Sequence, residues 1–151
     1  MELSEKEIGL LKLFQEVTRM EAEEIDDTEY GMLFFVASNS VGKAVGKKGR
    51  NIEILEKKVK KRVFILPVPE SVEQFIRDVY RDIDIVDIQY KRGEDKDEAL
   101  LIVKNEQRKD AIGKGGERIK TTKHVTKKKF NMDVRVVTES ELESEKAAEQ
   151  A

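Results

Sequence analysis

The sequence carries one pattern twice. Gly46-Lys47-Lys48-Gly49 returns sixty-seven positions later as Gly113-Lys114-Gly115-Gly116. The offset is kept by the surroundings of the glycines: Ala44-Val45 and Ala111-Ile112 precede them, and Ile52 and Ile119 follow. Upstream, Ser4 with Glu7 and Ser71 with Gln74 repeat the form of a helix capping box at the same spacing. A repeat this long folds a chain of 151 residues into two small domains of one design rather than a single larger core. The expected divisions are 1–67, 68–138 and an acidic, disordered tail at 139–151.

Periodicity supplies the elements between these landmarks. After Ser4 a helix is expected, with Leu10, Leu11, Leu13, Phe14, Val17 and Met20 on one apolar face. A short strand in the polar stretch 24–29 and a central strand at 32–37 follow. Ser38-Asn39-Ser40 can cap a short helix over 41–45, the glycines interrupt it, a second helix runs from 50 to about 60, and 62–68 closes the unit as a strand. Pro67 and Pro69 make a short, stiff connection. The second copy repeats the order: a helix with Val72, Phe75, Ile76, Val79 and Ile83 on its stripe, strands at 83–90 and 99–103, a short helix capped by Asn105, a long helix to about 129, and a strand at 133–137. The fold class is therefore α+β, each copy running α-β-β-α-α-β with a three-stranded sheet packed on helices. Beyond 138 the chain is rich in Glu and Ser and poor in apolar residues, which is the basis for expecting a tail.

Composition removes several classes of function. With no cysteine and a single histidine, a disulfide framework, thiol catalysis and the usual zinc sets are excluded, and no metal or other cofactor is expected. No apolar run reaches the roughly twenty residues of a membrane span, and the acidic opening of the chain lacks the form of an export signal, so no membrane association and a cytoplasmic location are expected. The net charge of −2 conceals a division: residues 40–62 and 104–129 each carry a local charge of +7, leaving −16 for the rest. Both basic runs are centred on a Gly-x-x-Gly.

Two glycines around a basic pair let the backbone turn sharply and admit a large anion to the main-chain amides, where the following helix adds positive potential. The implied ligand is a phosphate backbone. Gly46, Lys47, Lys48, Gly49 and Arg50 form the first candidate site, and Gly113, Lys114, Gly115, Gly116 and Arg118 the second. Their cations supply affinity without reading sequence. The first loop, with two lysines and Arg50, is expected to hold phosphate more strongly than the second, where Glu117 follows. Val45, Ile52, Ile112 and Ile119 are candidates for a groove floor, but core packing is the preferred reading for them and they are not counted among the site residues. His124 is expected to face solvent or to be lightly buried, with no acid–base partner.

A helix, a Gly-x-x-Gly loop and a second helix inside an α-β-β-α-α-β unit resemble the K-homology domain of the second type. Two in tandem across residues 4–137 resemble the RNA-binding core of the NusA transcription factor family, in its short archaeal form. The resemblance implies about four nucleotides of single-stranded RNA clamped beside each loop. It further implies a role in transcription termination, antitermination or elongation on nascent RNA, with RNA polymerase or other transcription factors as further partners. No residues are left for the polymerase-binding and S1 domains of the bacterial form, which puts polymerase contact in doubt. Two other readings remain: a ribosome-associated or rRNA-binding K-homology protein, and a protein-interaction scaffold docking through its acidic first helix. An enzyme is not expected. A nucleotide-triphosphate loop needs four residues between its glycines and a hydroxyl after the lysine, whereas Gly42 and Gly46 are separated by three and Lys48 stands where the hydroxyl belongs.

Overall fold

Ser4 opens the first helix as its pattern demands. Its hydroxyl accepts from the Glu7 amide at 3.1 Å, and the Glu7 carboxylate accepts from the Ser4 amide at 3.2 Å. In the computed structural model, which describes residues 2–150, α1 spans Glu5–Thr18 and ends where Arg19 enters the left-handed region. Its apolar stripe carries Phe14 onto the first sheet, where the ring stacks on Phe34 with centroids 4.5 Å apart. That sheet is built from β1 (Glu24–Asp27), β2 (Gly31–Val36) and β3 (Arg62–Pro67), with β2 in the centre, antiparallel to β1 and parallel to β3. The parallel pair requires a crossover, supplied by α2 (Val41–Val45) and α3 (Arg50–Val59). Every residue of β2 is buried, as its unbroken apolar run anticipates. Phe14, Met32, Phe34, Val36, Val41, Ala44, Leu55, Val63 and Ile65 form the core of this unit. At the edge of the sheet, Asp27 bonds Lys61 and pairs with Lys6 at 3.0 Å. Burial pushes its carboxyl up, but the two ammonium groups outweigh burial and hold it below the ordinary carboxylate range.

The chain divides between Glu70 and Ser71, three residues later than the proline-based boundary. The reason is local: the Val68 amide still donates to Val36 at 3.3 Å, extending the first sheet past Pro67. The second unit repeats the plan with α4 (Val72–Val79), β4 (Ile85–Lys91), β5 (Asp97–Val103), α5 (Arg108–Ile112), α6 (Glu117–Phe130) and β6 (Met132–Thr138). β5 is central, antiparallel to β4 and parallel to β6. The protein is thus α+β, with two three-stranded sheets on helices.

Three expectations are corrected. Ser40 stands at the start of α2 but makes no side-chain capping bond. Asn105 does not cap α5; its side chain exchanges hydrogen bonds with Ser140 instead. Ser140 lies in a seventh helix, α7 (Glu139–Gln150), where a disordered tail was expected. The tail folds because distant residues supply what its own composition lacks. Leu142 packs on Leu100, Ile102 and Val137, and glutamates of α7 meet Lys91, Arg108 and Arg135. α7 therefore covers the face of the second sheet to which these alternate strand residues point.

Candidate nucleic-acid interface

The two glycine loops have the same backbone. Gly46 sits at φ 80°, ψ 169° and Gly113 at φ 82°, ψ 167°. The third residues, Lys48 (56°, 30°) and Gly115 (64°, 17°), are both left-handed, as are Gly49 (73°, 19°) and Gly116 (79°, 10°). Matching hydrogen bonds close each turn: Gly49 to Gly46 at 3.1 Å and Gly116 to Gly113 at 3.0 Å. Neither α3 nor α6 has a side-chain N-cap, so the first-turn amides next to each loop are not taken up by a capping side chain.

The first glycine of each loop is required by a close approach. A Cβ on Gly46 would lie 2.9 Å from Nδ2 of Asn51, and one on Gly113 would lie 2.8 Å from Cβ of Arg118 and 2.9 Å from its amide. These neighbours occupy the same place in the two copies. Asn51 donates to the Ala44 carbonyl at 3.0 Å, tying α3 back to the end of α2. Arg118 does the corresponding work with more bonds: to the Asp110 carbonyl at 3.2 Å, the Val79 carbonyl at 2.8 Å, and the carboxylate of Asp82. Its guanidinium also lies over the Tyr80 ring, 4.6 Å from the centroid.

Arg118 was expected to face a phosphate and does not. Only 3% of it is exposed, and its bonds run inward to the end of α4, so its charge is spent on fixing the loop. Of the other candidates, Lys47, Lys48, Arg50 and Lys114 are exposed and available to solvent beside their loops. His124 is exposed, as expected. Val45, Ile52, Ile112 and Ile119 are half-buried; the first two pack against the core of the first unit.

One residue escaped the motif. Lys120, one turn into α6, reaches back to the Gly115 carbonyl at 3.4 Å, and a Cβ on Gly116 would lie 3.2 Å from its Cε. Glu53 holds this place in the first unit. The second loop therefore draws a cation from the helix where the first carries it on the loop itself. The signal was legible: Lys120 falls four residues after Gly116, one helical turn. Among the described residues no cluster of His, Cys, Asp or Glu could hold a metal ion, and no helix is long and apolar enough to cross a membrane.

No family model matches the chain. Among curated proteins it is similar to the "Probable transcription termination protein NusA" of Thermoplasma acidophilum, at 24% identity over 82% of this chain and 85% of that one. It is likewise similar to the protein of the same name from Methanocaldococcus jannaschii, at 23% identity over 97% of this chain and 80% of that one. A solved crystal structure, that of APE1850, shares the fold, with a TM-score of 0.68 and 22% identity over 90% of this chain and 99% of the other. Both archaeal proteins are matched over most of their length, at under 25% identity.

Proposed function

We propose that this chain is a single-stranded RNA-binding protein built from two tandem type II K-homology domains. It acts without catalysis, in the cytoplasm, on nascent RNA during transcription termination, antitermination or elongation. The observation that carries the reading is the duplicated loop. Two segments of different sequence hold one unusual run of dihedral angles, each presenting uncapped amides and exposed cations at the start of a helix. Phosphate is the ligand such a site fits. The apolar residues beside each loop, Val45 with Ile52 and Ile112 with Ile119, provide surface against which unstacked bases rest. The names of the archaeal relatives supply the process, and RNA polymerase or other transcription factors are the natural further partners.

Replacing Lys47 and Lys48 together by Asp tests it. Both side chains are exposed, and Asp tolerates the left-handed backbone at 48, so thermal stability should change little. Affinity for a random single-stranded RNA pool should fall by about tenfold or more at moderate salt. Unaltered affinity would refute the assignment. Sequencing the retained RNA then asks whether the apolar floor selects bases.

A further inference from the structure

We propose that the outer face of the second sheet is a further surface for single-stranded RNA, filled in this chain by its own acidic helix α7. The proposal rests on the RNA-binding reading above. Its basis is the pattern by which α7 is held. Glu141, Glu145 and Glu149 stand four residues apart, one stripe of the helix stepping about 6 Å along its axis each time. Each meets a different cation of the second unit: Glu141 with Arg108 at 2.9 Å, Glu145 with Arg135 at 2.7 Å, and Glu149 with Lys91 at 3.0 Å. The face beneath α7 thus presents a row of three cations to a row of three anions, a spacing suited to successive phosphates of an extended strand.

The surroundings suit the same occupant. A crevice between β4 and α7 is lined by Gln89, Lys91 and Leu100. Asn105 adds a polar side chain now engaged by Ser140. The row is also continuous with the second loop. Arg108 is the first residue of α5, and Gly113 follows the last, so a strand leaving the loop can pass onto the row.

α7 is held by exchangeable contacts. The pairs with Arg108 and Lys91 are half-exposed at both ends, which makes them weak and salt-screened, and Leu142 is the one α7 side chain packed into the sheet's apolar cluster. Arg108, paired to Glu141, adds little to the attraction of RNA until α7 leaves; Arg135 is shared between Glu145 and Glu98 of β5, the latter at 3.6 Å, and is released only in part. RNA and α7 therefore compete for one row of charge.

Two variants of equal charge separate this from a general loss of negative charge. Glu141→Gln with Glu145→Gln removes two of the contacts. Glu139→Gln with Glu143→Gln removes two exposed carboxylates of the same helix that make none of them. Binding of a labelled uridine homopolymer to the full chain is followed by fluorescence anisotropy at moderate salt. The first pair should tighten binding about threefold or more, and the second should change it less than about twofold. Saturating RNA should also accelerate amide exchange along α7 in the unaltered protein. Equal effects of the two pairs, or exchange in α7 that RNA leaves unchanged, would overturn the proposal while leaving the loop reading intact. If the unaltered chain retains no RNA, both fall. If the first pair dimerises with no gain in RNA affinity, the face belongs to a second copy and the proposal is overturned.

Discussion

Lys48 offers a sharp test, because stability and binding should move in opposite directions when it is replaced by Gly. Its backbone lies at φ 56°, ψ 30°, where an L-residue with a Cβ carries a penalty of about 1–2 kcal/mol. Glycine occupies that region freely and stands at the same place, position 115, in the second loop. Against the relief stands glycine's larger entropy in the unfolded chain, about 0.5–1 kcal/mol. The net expectation for Lys48→Gly is a gain of about 0.5–1 kcal/mol, equivalent to a rise of about 3–6 °C in the melting temperature of a domain this size. The same change deletes an exposed cation beside the loop amides. RNA affinity should fall about three- to fivefold, and the salt slope should flatten by about 0.7, the value of one contact on a single strand. Lys48→Ala separates the two effects, since it removes the charge and keeps the strained backbone. It should copy the loss of affinity without the gain in stability. Urea titrations and RNA binding on the three proteins measure both quantities. A Lys48→Gly protein that is less stable, or whose salt slope is unchanged, would refute the argument that strain is held here for the sake of a phosphate contact.

Two further outcomes concern the frame around the loops. Arg118→Met keeps much of the side-chain volume but abandons the Val79 and Asp110 carbonyls and the Tyr80 ring; it should cost about 3 kcal/mol in urea denaturation, far more than Lys114→Met. Asp27, whose carboxyl is held below its ordinary value by Lys61 and Lys6 despite burial, contributes stability above the unfolded carboxylate pKa of about 3.9 and loses it as pH falls through the lower folded value. Asp27→Asn should therefore narrow the stability difference between neutral pH and pH of about 3, read from urea midpoints, and an unchanged difference would show that the pair is not linked to folding.

The elements were legible because their signals are local. A capping box, an apolar stripe and an unbroken buried strand each declare themselves within a dozen residues, and the repeat checked each copy against the other. Arg118 was misjudged because counting charge in a basic run says nothing of direction. Its direction was nevertheless written in the sequence: 118, 121, 122 and 125 form a helical stripe, and all four residues are buried. Threonine at 121 and 122 disguised it. Thr121 and Thr122 satisfy their hydroxyls on carbonyls one turn back, each at 2.7 Å, and so pack inward like apolar residues. α7 was hidden for a different reason. Its glutamates find partners 10, 33 and 58 residues away, a pairing that no window on the tail contains.

The equal charge of the two basic runs is thus misleading. Among the described residues, Lys47, Lys48 and Arg50 have no ion-pair partner, so the first loop offers its cations whole. In the second unit Arg118 serves Asp82, Lys123 serves Asp133, and Arg108 serves Glu141. What remains beside that loop is Lys114; Lys120, reaching in from α6, bonds the Gly115 carbonyl at 3.4 Å. The two loops share one backbone and differ in which neighbours hold the charge. Salt should weaken the two sites unequally. At the first loop it only screens phosphate; at the second it also loosens α7 from Arg108, so part of the loss is returned. On the proposed RNA-binding reading, a chain with net charge −2 holds phosphate firmly at the first loop and conditionally at the second, the difference residing in neighbours rather than in the loops themselves.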